Sequence, residues 1–241
     1  MRSTTTLHWP TEPFGAAQRP FAPDRPMLAA LTVDPIPDER IGWGCVVYLY
    51  LHRTDVLDLD DGVPNLGFEL LTDEVDDPPD LLPQRLDELL VAGRRHARIL
   101  AGHGLAADLE RLAGFAVRRR LPGVESVARS WMTRGTAGKG PGAAVVFDTA
   151  LDEPAGPEPD LMALCDRAGL KATTVAVPAV DPPTAPAVSA LVRTTAVALL
   201  AARALGRYWW SRPIDLDTLV LDSAWDHLEA LSGGDTRLTG R

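Results

Sequence analysis

Two apolar runs near the start of the chain constrain its fold most. One is Met27–Val33, reading MLAALTV, and the other is Ile41–Leu51, reading IGWGCVVYLYL. They are rich in β-branched and aromatic residues and are separated only by the Pro-rich connection DPIPDER. Such runs suit neighbouring strands of one sheet. The segment HRTDVLDLDDGVPNLGFELLT extends that sheet as a third, antiparallel strand. The periodicity then changes. Leu82, Leu86, Leu89 and Leu90 recur at three- and four-residue steps, which predicts a helix over Leu81–Ala92. ARILAGHG and AAVVFDTA are short buried-strand patterns, and LAADLERLAGFAVRRR, VESVARSWM and EPDLMALCDRAGL are helical, the last stopping at Gly169. A long helix, SALVRTTAVALLAARAL, and an amphipathic one over Asp215–Leu231 complete the chain. Strands followed by alternating helices and strands predict an α/β protein, a mixed sheet of about five strands flanked by helices.

The expected division is an irregular N-terminal arm over 1–26, one domain over 27–211, and a C-terminal helix with a polar tail over 212–241. The arm has no apolar core of a signal peptide, and Arg193, Arg203 and Arg207 interrupt the long helix. A cytoplasmic protein that does not enter a membrane is therefore expected. The two cysteines, Cys45 and Cys165, lie in apolar stretches and form neither a disulfide framework nor a zinc-site spacing. The formal charge is −9, from 24 basic and 33 acidic residues. A phosphate polymer is repelled by that charge at long range, so nucleic-acid binding requires a local basic patch.

Ile99–Phe115, ILAGHGLAADLERLAGF, resembles the second motif of the DEDD 3′–5′ exonucleases, a strand ending in Gly-His-Asn followed by a helix that begins with an aromatic-Asp pair. His103 and Asp108 fall on matching positions; Gly104 stands for the Asn and Ala107 for the aromatic. VVFDTALDEPAGPEPDLMALCDRAGL is similar to the family's strand ending in Asp-Thr, here Asp148-Thr149, with the helix after it. Arg193, Thr195 and Ala196 resemble the family's last catalytic helix. The resemblance runs over 27–208 in the correct order and implies a ribonuclease H-like fold.

It also implies a damaged catalytic set. The family hydrolyses phosphodiesters with two divalent metals held by four carboxylates, and a His or Tyr helps activate water. Aligned through Asp34-Pro35, the Asp-x-Glu motif falls on Met27 and Ala29, and the last His and Asp fall on Pro186 and Leu191. Of the four carboxylates only Asp108 remains, and one carboxylate does not hold two magnesium ions. The former cleft is accordingly expected to be lined by Met27, Ala29, His103, Asp108, Pro186 and Leu191, with no metal or other cofactor. The resemblance then implies a non-catalytic protein that binds single-stranded nucleic acid, a nucleotide or a protein partner. An alternative keeps an active exonuclease using Mg²⁺ or Mn²⁺ on Asp108 and a displaced acid, Asp34 first, or Asp38, Glu39 or Asp181. A third reading is a scaffold or regulatory protein without nucleic-acid binding.

Three other features have two readings each. Arg94, Arg95 and Arg98, with Arg118, Arg119 and Arg120, form either a phosphate-contacting patch or solvated helix ends. Tyr208, Trp209 and Trp210 are either a stacking platform for bases or an anchor for the end of the long helix. His103 ends a buried strand, where a hydrogen-bonded structural imidazole is expected over a catalytic one.

Overall fold

The computed structural model describes residues 1–5, 26–33, 40–52, 55–60, 64, 66–74, 76–115, 119–132, 144–154, 156–172 and 185–222. The strands are β1 (Arg2–Thr5), β2 (Met27–Val33), β3 (Trp43–Tyr50), β4 (Leu57–Asp58), β5 (Leu66–Thr72), β6 (Ile99–Gly102), β7 (Val145–Asp148), β8 (Leu170–Lys171), β9 (Tyr208–Trp209) and β10 (Ile214–Asp215). The helices are α1 (Leu81–His96), α2 (Leu105–Gly114), α3 (Pro122–Met132), α4 (Leu161–Ala168) and α5 (Ala185–Ala204).

Six strands form one mixed sheet in the order β1-β5-β3-β2-β6-β7. β3 runs antiparallel to both β2 and β5, whereas β6 is parallel to β2 and β7 to β6. The predicted α/β class and the three leading strands agree with this sheet. The arm over 1–26 is not wholly irregular, because Arg2–Thr5 pairs antiparallel with β5 along the sheet edge. That strand is held at its start, where the Met1 ammonium meets Glu74 and Asp77. Its residues alternate too little in hydrophobicity to announce a strand. Edge pairing, not burial, creates it.

Every residue of β2 is buried, which places it at the centre of a three-layer molecule. Side chains alternate across a strand, so Leu28 and Ala30 join one core while Met27, Ala29, Leu31 and Val33 join the other. The first core is closed by α4 and α5, and the second by α1, α2 and α3. The window Ala187–Ala204 is long and apolar enough to cross a membrane by length and composition, but 78% of it is buried in the protein. Its apolar surface therefore serves the first core.

The helical layer over the second core is fixed by two polar devices. Glu69, 2% exposed on β5, accepts a bond from Arg85 of α1 at 3.2 Å. Asp87, in the middle of α1, is 5% exposed, and its Oδ1 accepts the Val124 backbone N–H at 2.7 Å, so it caps α3 from a neighbouring helix. This close approach depends on Gly123, where an added Cβ would collide with the Asp87 carbonyl oxygen. Gly123→Ala is predicted to destabilise the protein by about 2 kcal/mol through this backbone clash, read as a lower urea midpoint at unchanged slope. A midpoint equal to the parent's would show that α1 and α3 are not held this closely.

Candidate functional site

The turn from β6 into α2 is built before any functional group is placed on it. Gly104 has φ +68°, the left-handed region that glycine and asparagine tolerate best. Glycine at position 104 thus supplies the backbone freedom the turn requires. Asp148, at the end of the adjacent β7, accepts the Gly104 N–H at 2.9 Å and the Leu105 N–H at 3.0 Å. A third donor, the Ala150 N–H, reaches Asp148 at 3.1 Å. Asp148 therefore locks its own turn and supplies the cap that α2 lacks from its own sequence. These bonds occupy both of its oxygens in holding backbone.

His103 is 8% exposed and is held from both ring nitrogens. A carbonyl only accepts, so Nε2–H donates to the Pro159 oxygen at 2.8 Å, and Nδ1 lies 2.9 Å from Thr149 Oγ1. Burial lowers its pKa, against the opposing pull of the Pro159 bond. A neutral imidazole with both nitrogens engaged is a structural strut, as the sequence suggests.

Asp108 lies in the first turn of α2, where it faces Arg193 of α5 and Asp148. Burial pushes its carboxyl up to about 7; Arg193 opposes the shift, Asp148 adds to it and Arg111 opposes it. Arg193 answers in kind: burial lowers its pKa, while Asp108, Cys165 and Asp160 raise it. Arg193 forms no hydrogen bond or ion pair with another described residue. A half-buried guanidinium thus faces a half-neutral carboxyl at the mouth of the sheet. Its sequence signal is plain in retrospect, since Arg193 is the sole charged residue of α5 before Arg203.

The remaining sequence expectations need correction. Met27 and Ala29 are fully buried against α1–α3, on the opposite side of the sheet from α5, and line no cleft. Alternate residues of a strand face opposite sides of the sheet, so the pair Met27 and Ala29 shares the face covered by α1–α3. The β2 side chains on the α5 side are Leu28, Ala30 and Thr32, and Thr32 hydrogen-bonds Thr194 of α5. Neither residue pair contains a carboxylate. Leu191 is 1% exposed inside the first core and likewise lines no cleft. Asp34, Asp38, Glu39, Asp181, Arg118 and the side chain of Pro186 lie outside the described residues. Among the described residues no three His, Cys, Asp or Glu side chains group as a metal site.

The basic residues divide as well. Arg94 is spent on α3, bonding Ser130 and the Ser126 carbonyl. Arg120 pairs with Glu125, and Arg119 reaches Gln84 at the opposite end of α1 from Arg94. Arg95 and Arg98 are exposed. Gln84 and Arg94 are about 15 Å apart along the helix, so the two clusters do not form one compact patch. The chain matches no family model, no curated protein and no solved structure.

The raised pKa of Asp108 has a definite consequence for stability. Its folded-state value lies above its ordinary value of 3.8, so the folded protein holds this proton more tightly than the unfolded chain. That contribution is complete at low pH and is lost as pH rises from about 4 to about 7. Asp108→Asn is predicted to gain stability over the parent at pH 8 and to match it at pH 4, measured by urea unfolding. Equal stability at both values would place Asp108 in water.

Proposed function

We propose that the chain is a ribonuclease H-like relative of the DEDD exonucleases that has lost two-metal hydrolysis and binds the phosphate of a single-stranded nucleic acid or nucleotide beside Arg193. The sheet order supports the fold assignment. Leaving aside β1, a central β2 joined through two antiparallel ladders to β3 and β5 on one side, and through two parallel ladders to β6 and β7 on the other, suits that fold. Loss of hydrolysis is supported by the apolar residues at the positions the resemblance assigns to acids, and by the Thr32–Thr194 contact between β2 and α5, which holds hydroxyls and no carboxylate. Two divalent ions need more negative charge than Asp108 provides.

The observation that carries the binding reading is the Arg193 guanidinium, half-buried beside Asp108 and without a partner among the described residues. A phosphate oxygen would accept from Arg193, and the protonated form of Asp108 would donate to a second oxygen. The net charge of −9 weakens long-range attraction for a polymer, so a mononucleotide or a strand end suits the site better than a long duplex.

The test uses fluorescein-labelled DNA and RNA single strands with Mg²⁺ or Mn²⁺. The expected result is no shortening, salt-sensitive binding by anisotropy, and about tenfold weaker binding for Arg193→Gln. Shortening that Asp108→Ala abolishes would establish the exonuclease alternative. Absence of binding at low salt would leave a protein-binding or scaffold role.

A further inference from the structure

The other end of α5 holds a cavity of about 700 Å³, some ten residues beyond Arg193 and therefore about 15 Å along the helix. That volume lies in the range of small-molecule sites. Its floor is apolar, formed by Leu164 and Ala168 of α4 with Leu200 and Ala204 of α5. At its mouth Trp209 is 51% exposed and Val56 is 53% exposed, two of the largest apolar exposures among the described residues. Single exposed apolar side chains are ordinary, but two at the mouth of one apolar-floored cavity are not.

The tryptophan pair at the end of α5 divides its duties. Trp210 is 1% exposed and donates from Nε1 to the Ala168 carbonyl at 2.7 Å, so it anchors the chain. Trp209 remains at the cavity wall. Arg203 lies between their rings, 5.4 Å from the Trp209 centroid and 4.6 Å from the Trp210 centroid, and bonds the Ala168 carbonyl at 2.6 Å. The guanidinium is thereby held in place with further N–H donors left over. Arg167 lines the same cavity and is oriented by Glu158 at 3.1 Å. Glu153 lines it too, and its carboxylate faces both guanidinium groups without a hydrogen bond or ion pair to any described residue.

Asp58 also lines the cavity, its carboxylate accepting the Asp60 N–H at 2.9 Å, so two fixed cations, the carboxylates of Glu153 and Asp58, an apolar floor and an indole wall select a ligand with matching parts. We propose that this cavity binds a zwitterionic small molecule with a bulky apolar side chain, of the free α-amino-acid class. Its carboxylate meets Arg167 and Arg203, its ammonium meets Glu153, and its side chain lies over Leu164 and Leu200 against Trp209. A simple anion is disfavoured by Glu153, and a simple cation by the two arginines. The site is separate from the Asp108 and Arg193 side chains and does not depend on what they bind.

The experiment is a thermal-shift and calorimetric titration of the full chain with L-phenylalanine and L-leucine. The paired analogues are 3-phenylpropanoate, which lacks the ammonium, and 2-phenylethylamine, which lacks the carboxylate. Saturable stabilisation by at least one amino acid is expected, with each analogue binding about tenfold more weakly or worse. Arg167→Gln, Glu153→Gln and Trp209→Ala alter half-buried or exposed side chains and are expected to remove the shift while leaving the ligand-free Tm close to the parent's. The proposal is overturned if neither amino acid binds, if 3-phenylpropanoate binds as tightly as L-phenylalanine, or if binding survives all three substitutions.

Discussion

Burial of β2 on both faces is the constraint on which the rest of the structure depends. A strand covered by helices on each side has no solvated face on which to place an unpaired charge. Met27–Val33 obeys this with six apolar residues and Thr32. The one polar side chain is satisfied across the layer by Thr194, whose hydroxyl also reaches the Ala190 carbonyl at 2.7 Å. Ordering α5 over the sheet and excluding acids from its centre are thus the same packing fact.

The charges displaced from the centre collect at its ends. Around Asp108 the sheet mouth holds Arg193, Asp148 and Asp160, and there the carboxylates have distinct work. Asp148 and Asp160 hold backbone, the latter by accepting the Met162 N–H at 2.9 Å at the start of α4. Among the described residues, the Asp108 carboxyl and the Arg193 guanidinium have no hydrogen-bond partner. Desolvation weakens both charged forms, and each charge partly restores the other. An incoming phosphate would complete a set that is unbalanced without it.

Much of the fold was legible because hydrophobic pattern reports burial directly. MLAALTV and IGWGCVVYLYL gave adjacent strands, the leucine spacing gave α1, and Gly169, at φ +74°, ended α4 as read. Less of the site was legible. A fully apolar strand carries no alternation, so nothing in its sequence says which residues face which helix. Met27 and Ala29 were placed in a cleft by counting back from Asp34-Pro35, and no alternation in the strand showed that their face is covered by α1–α3. β1 was missed because ladder pairing at an edge leaves little compositional trace. Asp87 capping α3 joins residues of two different helices, and no spacing along the chain announces such a contact. Arg193 was visible in the sequence as a charge unsuited to a membrane span and as part of the resemblance around Thr195 and Ala196, but no spacing along the chain announces that it faces Asp108 of another helix.

The claim that an arginine–carboxyl pair occupies the place of a metal centre is tested most directly by ¹³C NMR titration of the Asp108 carboxyl, with and without Mg²⁺. The account predicts a midpoint of about 7 that Mg²⁺ leaves unmoved and that rises further above the ordinary value in Arg193→Gln. A midpoint near 4, or one that drops when Mg²⁺ is added, would contradict it and return metal chemistry to the cleft.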